Sequence, residues 1–210
     1  MPAAAMRGDI TYSGRARRVA VLRCLVAAVV VTILLAGLTA LIFWLVVRPK
    51  PIDYTVTRAV ARHFNVTPPP DATANATFYL TLAAANPNRR VSVLYEWVEF
   101  RVLYGEEAQL AVEDAPAFRQ PRRNETLLDV RAVARSVPVG GQAARELRHD
   151  LAAGEVGVDV RMRARVRFET GGVRSRRYSL QAFCSPVVIA LPPPSSARPF
   201  QSVPCDVAIS

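Results

Sequence analysis

The sequence predicts a mainly β protein in which one N-terminal transmembrane α-helix precedes a single β-sandwich that carries one short helix. Three observations predict it. From Cys24 to Val47 the chain has no charged residue. At about 1.5 Å per residue this run covers roughly 36 Å, against a hydrocarbon core of about 30 Å. From Glu155 to Glu169 apolar and polar residues alternate. Val156, Val158, Val160, Met162, Ala164, Val166 and Phe168 are even-numbered; Glu155, Asp159, Arg161, Arg163, Arg165, Arg167 and Glu169 are odd. A helix would mix the two sets, so period two means a strand with one buried and one wet face. Further β-branched and aromatic runs, separated by turn signals, make a two-layer sandwich the fitting architecture.

Four segments follow. Residues 1–23 are a basic cytoplasmic tail, 24–47 the span, 48–191 the sandwich and 192–210 a Pro-rich C-terminal segment. A cleaved signal peptide would have an apolar region of about 7–15 residues and a small-residue cleavage site. Here the run is longer and ends in Phe43 and Trp44, then Arg48 and Lys50, which suit a membrane interface. A soluble core helix of this length would show a polar stripe, and this one has none.

Within the distal part, Pro49 and Pro51 end the span, and Ile52 to Val66 reads as a first strand or pair of strands. Thr67-Pro68-Pro69-Pro70-Asp71 breaks it. Thr77 to Ala85 alternates, with Phe78, Leu80, Leu82 and Ala84 on one face and Thr77, Tyr79 and Thr81 on the other. Asn86-Pro87-Asn88 then turns the chain, since Asn starts turns and Pro fixes the next φ. Val91 to Tyr104 is a strand whose apolar parity changes near Trp97-Val98, the sign of a bulge or of burial on both faces. Gly105 closes it, and Ala115 to Pro121 reads as a loop. Thr126 to Ala134 puts Leu128, Val130, Ala132 and Ala134 on one face, and Asp129 and Arg131, with Arg135 beyond, on the other. The one helix expected here runs from about Gln142 to Ala153, with Leu147 and Leu151 on one face and Gly154 at the cap. Gly171-Gly172 is a hairpin turn, after which Val173 to Cys184 returns with Tyr178, Leu180 and Ala182 inward.

The formal net charge is +10 and the pI near 10.5. Arg is dispersed along strand patterns, and no nucleic-acid motif appears, so nucleic acid is not the expected partner. A basic surface facing anionic wall polymers or lipid headgroups fits better. Arg7, Arg15, Arg17, Arg18 and Arg23 precede the span; Arg48, Lys50, Arg58 and Arg62 follow it. The positive-inside rule thus favours a cytoplasmic N-terminus by a small margin. Asn-X-Ser/Thr acceptors occur only after the span, at Asn65, Asn75 and Asn124, and Pro68 makes Asn65 the poorest. Cys24 lies in the span, as an inert small hydrophobe or a palmitoylation site. Cys184 and Cys205 remain as an even pair: outside the cell they would close as a disulfide, and the alternative is two free thiols. No metal or other cofactor is expected, because neither His nor a third Cys accompanies the pair at zinc spacing.

No catalytic constellation emerges. His63 and His149 lie far apart, and His149 reads as a solvated helical residue. Glu106-Glu107 and Glu113-Asp114 read as solvated strand ends rather than acid–base pairs. The alternating Arg row reads as an ordinary wet face paired with cross-strand acids ahead of a polyanion site.

The ordered set of motifs resembles the plant NDR/HIN1-like proteins, whose extracytoplasmic part is a late-embryogenesis-abundant group 2 domain. The set comprises the basic tail and span, Asn86-Pro87-Asn88, the strand Tyr95 to Tyr104, and Phe118-Arg119-Gln120-Pro121-Arg122-Arg123-Asn124-Glu125-Thr126. It continues with Asp150-Leu151 through Gly154, Val158 to Phe168, and Tyr178 to Cys184-Ser185-Pro186. The resemblance implies an immunoglobulin/fibronectin type III-like sandwich, plasma-membrane residence with the C-terminus extracellular, a role in defence or in abiotic stress, and no catalysis. Its implied partners are the lipid bilayer, a cell-wall component or extracellular protein for the ectodomain, and a cytoplasmic immune regulator for the tail. Arg7-Gly8-Asp9 spells an adhesion tripeptide but lies in the expected cytoplasmic tail and is read as coincidence.

Overall fold

A computed structural model describes residues 9–47, 50–105, 108–191 and 200–210. The chain divides into two compact units, 1–48 and 49–210. The first is helix α1, Asp9–Val47. Its stretch Ala20–Ile42 is apolar enough to cross a membrane and long enough, with all of that window exposed.

The second unit is mainly β. In chain order it holds β1 (Asp53–Val66), β2 (Thr73–Ala85), β3 (Ser92–Tyr104), β4 (Ala108–Ala115), β5 (Phe118–Gln120) and β6 (Glu125–Pro138). Then come helix α2 (Gly141–Ala153), β7 (Glu155–Thr170), β8 (Val173–Arg174), β9 (Tyr178–Ala190), β10 (Val203–Pro204) and β11 (Asp206–Ile209). One antiparallel sheet runs β10-β1-β2-β6; the other runs β11-β9-β7-β3-β4, with β5 also on β3 and β8 on β7. The apolar faces of both meet in one core that includes Tyr54, Phe78, Leu80, Phe100, Val160, Met162 and Leu180.

The strand that alternates most strictly is as its sequence requires up to Val166: Val156, Val158, Val160, Met162, Ala164 and Val166 are all buried. Its last turn departs from the pattern. Glu169, expected on the wet face, is buried, and its carboxylate takes Arg119 and Arg174, each at 2.7 Å. The short β8 and the side chain of Arg119 cover this end of the strand, so facing outward no longer means facing water.

The parity change in β3 is a bulge at Glu96, between the pairs Tyr95↔Val166 and Trp97↔Arg165. The neighbouring edge is interrupted at the same level. β4 pairs with Val98–Tyr104 and β5 with Val93–Tyr95, and Pro116 sits between them, where an edge tolerates a missing N–H. The expected loop Ala115–Pro121 is therefore in part a strand. Three paired residues flanked by prolines carry no periodicity that could announce them.

α2 buries Ala144 and Leu147 against the sandwich, and Gly154 caps it with φ 84°. A side chain there would also meet the Leu191 carbonyl at 3.1 Å, so the position requires glycine. Gly171 and Gly172, with φ of 58° and 89°, form the expected two-residue turn.

The last residues join both sheets. β10 pairs with β1, β11 pairs with β9, and Cys205 between them is bonded to Cys184 of β9. The bond closes a loop of 21 residues in sequence separation. Loop-closure entropy then puts its contribution at about 3 kcal/mol. Cys205→Ser should lower the midpoint of thermal unfolding by about 6–12 °C, and reductant should lower the wild type equally. An unchanged midpoint, or two alkylatable thiols in the unreduced domain, would remove the bond.

Candidate functional site

The turn after β2 organises a buried polar cluster. Asn86 and Asn88 are among the few buried polar residues, with Gln120. The Asn86 amide donates to the carbonyls of Val91 and Pro121, both at 3.0 Å. Its Oδ1 accepts from the Asn88 backbone N–H at 3.1 Å and from Asn88 Nδ2 at 3.0 Å. Asn88 in turn clamps the entry of the chain. Its Oδ1 accepts the Lys50 N–H at 2.8 Å, and its Nδ2 donates to the Lys50 carbonyl at 2.9 Å. Pro87 lacks an N–H and so adds no donor to satisfy in this crowded turn.

The network continues inward. The Asn124 carbonyl accepts the Asn86 N–H at 2.9 Å and Gln120 Nε2 at 3.3 Å. Gln120 Nε2 also donates to the Ala84 carbonyl at 2.6 Å, and its Oε1 accepts the Tyr95 hydroxyl at 3.2 Å. Tyr95 shares a further hydrogen bond with Tyr54, and its ring stacks on Phe118 at 4.2 Å. One connected network thus runs from Tyr54 of the first strand to Lys50 at the entrance. The Asn86-Pro87-Asn88 and Phe118-to-Thr126 motifs are its two halves, and they sit side by side in the fold.

Burial governs the phenols. Tyr95 is pushed up to about 12, and burial with Tyr95 alongside raises Tyr54 well above the usual value. The folded state then keeps protons that the unfolded chain releases above about pH 10, so stability is flat below that pH and falls from there to about 12. For Tyr95 alone the loss at the top of that window is about 2–3 kcal/mol. The urea midpoint followed across this range should drop as tyrosinate absorbance appears. A flat midpoint would mean that the phenols are not buried.

The outer faces of both sheets are basic. On the larger sheet Arg161, Arg163 and Arg165 line up along β7, opposite Phe183, Gln181 and Ser179 on β9. Arg161 lies over the Phe183 ring at 5.1 Å. Arg167 and Arg177 bracket Glu96 at 2.7 and 2.8 Å, and Arg101 holds Glu99 at 2.5 Å. The Arg177 hydrogen bond, helped by the charges of Arg167, Arg177 and Arg165, holds the Glu96 carboxyl below its usual range. Trp97 and Phe183 are part-exposed on this face. A shallow groove of about 370 Å³ lies among Arg161, Arg163, Gln181, Phe183, Asp206 and Ala208. On the smaller sheet a groove of about 380 Å³ lies among Arg58, Arg62, Tyr79, Thr81, Asp129 and Arg131. The wet-face reading with cross-strand acids accounts for Arg167, which pairs with Glu96 of β3; Arg161, Arg163 and Arg165 have no ion pair among the described residues.

The remaining candidates stand apart. Asn65 and Asn75 face each other across β1 and β2; Asn75 Oδ1 accepts the Ser136 N–H at 2.8 Å, and Asn65 is exposed. Asn124 is exposed between β5 and β6. His63 is exposed in an irregular part of β1 with φ 54°, and His149 is exposed on α2. Glu113 and Asp114 are exposed on β4, while Glu106, Glu107, Arg7 and Gly8 lie outside the described residues. Cys24 is an exposed free cysteine on α1. Among the described residues no three His, Cys, Asp or Glu side chains gather as a metal site.

An apolar helix followed by a two-sheet sandwich around one apolar core, with an Asn-Gln-Tyr network at the entrance to the sandwich, defines a class of helix-bearing β-sandwich proteins. Residues 81–184 match the family model described as Late embryogenesis abundant protein. The chain is 34% identical to "Uncharacterized protein At1g08160" of Arabidopsis thaliana, over 90% of this chain and 84% of that protein. It is 30% identical to NDR1/HIN1-like protein 3 of the same plant, over 82% and 74%. With NDR1/HIN1-like protein 10 the identity is 29%, over 85% and 78%. The chain belongs to the NDR1/HIN1-like family with its late embryogenesis abundant domain.

Proposed function

We propose that this chain is a non-enzymatic single-pass plasma-membrane protein of plant defence, with its N-terminus cytoplasmic and its sandwich facing the cell wall as an interaction or adhesion module. The observation that carries the interaction role is the outer face of the larger sheet. Arg163 and Arg165 stand there without an ion pair among the described residues, beside part-exposed Trp97 and Phe183, on a sheet whose other face packs into the core. Guanidinium forks bind carboxylates in pairs, and aromatic rings add contact area at small entropic cost. A cell-wall component or an extracellular protein is the partner of this face, and a cytoplasmic immune regulator that of the tail. Family membership supports the defence role, and the sequons Asn65, Asn75 and Asn124, all beyond the helix, support the orientation.

The orientation has a direct test. Protease added to intact protoplasts should remove a C-terminal tag, and endoglycosidase should shift the gel band, with Asn124 and Asn75 the main carriers. A protected tag and an unshifted band would place the sandwich on the other side. Proximity labelling from both ends during pathogen challenge would then name the partners.

The match to the late embryogenesis abundant domain favours a second reading, a structural protein that protects membranes during dehydration. The transcript should then rise with drought and not with elicitor.

A further inference from the structure

We infer that the sandwich carries a built-in headgroup-binding end, in which Lys50, Arg89, Arg90, Arg122 and Arg123 form a basic collar for anionic lipids of the leaflet from which α1 emerges. The inference rests on α1 spanning the bilayer, but not on which side the sandwich lies.

Three segments far apart in sequence bring these cations together. Asn88 holds the Lys50 backbone by its N–H and its carbonyl, at 2.8 and 2.9 Å. The Asn88 carbonyl accepts the Arg123 N–H at 3.1 Å. Arg89 and Arg90 follow Asn88 directly, and Arg122 precedes Arg123. The backbone that bears all five side chains is therefore tied around one asparagine, while the five residues themselves are exposed. Among the described residues none of them takes part in an ion pair. The neighbouring acids in the chain are Asp53 and Glu125, both exposed, so the cations outnumber them. Arg123 is also held at φ 49°, a backbone conformation that an arginine adopts only when its surroundings impose it.

The tether supplies the rest. α1 ends at Val47 and the collar begins at Lys50, a three-residue step that spans at most about 11 Å. Lys50 is therefore kept within about one Debye length of the bilayer's surface charge, and each exposed Lys or Arg tied to its backbone gains from anionic lipid where it meets that charge. The Arg face of β7 has no such tether, and its Arg167 is already paired with Glu96.

The test uses the full chain in nanodiscs of phosphatidylcholine alone and of phosphatidylcholine mixed with phosphatidylglycerol, read by amide hydrogen exchange. Peptides covering 86–91 and 121–125 should exchange about tenfold more slowly in the anionic discs, and high salt should reverse the difference. The quadruple variant Arg89→Gln/Arg90→Gln/Arg122→Gln/Arg123→Gln should abolish it. Arg90→Gln/Arg122→Gln, which leaves Arg123 and its bond to Asn88 in place, should give an intermediate rate. Arg161→Gln/Arg163→Gln/Arg165→Gln should keep the full effect. Equal exchange in both discs overturns the collar, as does protection that survives the quadruple variant. Soluble polygalacturonate that protects the same peptides in phosphatidylcholine discs would assign them to a wall polymer instead. A chain that fails to elute with either disc would overturn the spanning helix, and with it the collar. A chain that co-elutes and shows equal exchange would overturn the collar alone.

Discussion

Val160→Asp should leave no cooperatively folded sandwich. Val160 is fully buried at the middle of β7, with Val102 of β3 on one side and Cys184 of β9 on the other. A carboxylate there loses the valine's burial, about 1.5–3 kcal/mol, and gains no partner. Leaving a charge buried and uncompensated adds about 3–5 kcal/mol. The sum is of the order of a whole domain's stability, about 5–15 kcal/mol. Circular dichroism should show no cooperative melt, and most of the expressed domain should be insoluble. Arg163→Asp, three residues along on the wet face, should change stability by no more than about 0.5 kcal/mol beyond its effect on charge. A soluble Val160→Asp domain that melts cooperatively would mean that β7 does not face the core with its even residues.

Asn86→Ala should be the costliest polar truncation. Its side chain makes four hydrogen bonds, two given to the Val91 and Pro121 carbonyls and two received from Asn88. Alanine leaves those groups buried without partners, at about 1–3 kcal/mol each before relaxation. A net loss of about 3 kcal/mol would lower the thermal midpoint by about 6–12 °C. Asn86→Asp separates hydrogen bonding from shape. It keeps the volume but turns a carboxylate towards two carbonyls, so its own pKa should rise. The variant should therefore be weakest at neutral pH and recover as pH falls and the acid regains a proton to donate. If Asn86→Ala melts within a degree or two of wild type, the cluster is incidental to stability.

Much of the fold was legible in local pattern. The β7 alternation, the parity change in β3, the α2 cap at Gly154 and the two-glycine turn are each set by a few neighbouring residues, and the structure resolves the parity change as a bulge. What escaped were features that need a partner from elsewhere. Phe118–Gln120 is a strand only because β3 lies beside it, and β4, which buries the adjacent Leu110 and Ala111 and exposes Val112, keeps no period of two. Glu169 obeys the alternation and is buried all the same, because Arg119, 50 positions back in the chain, closes over it. Gln120, flanked by Arg119 and Pro121, reads as a surface residue until Ala84, Asn124 and Tyr95 are seen around it.

The sequence by itself therefore determined the class: an apolar helix long enough for a bilayer, then a sandwich of alternating strands. Periodicity and apolar length are local properties, and the hydrophobic effect acts on them wherever the chain goes. Only the tertiary structure decided the cluster that joins Asn86, Asn88, Gln120, Tyr95 and Lys50, and the basic collar around it. A buried polar group must find its partner in space, and nothing in the spacing of these residues along the chain says which partner that will be.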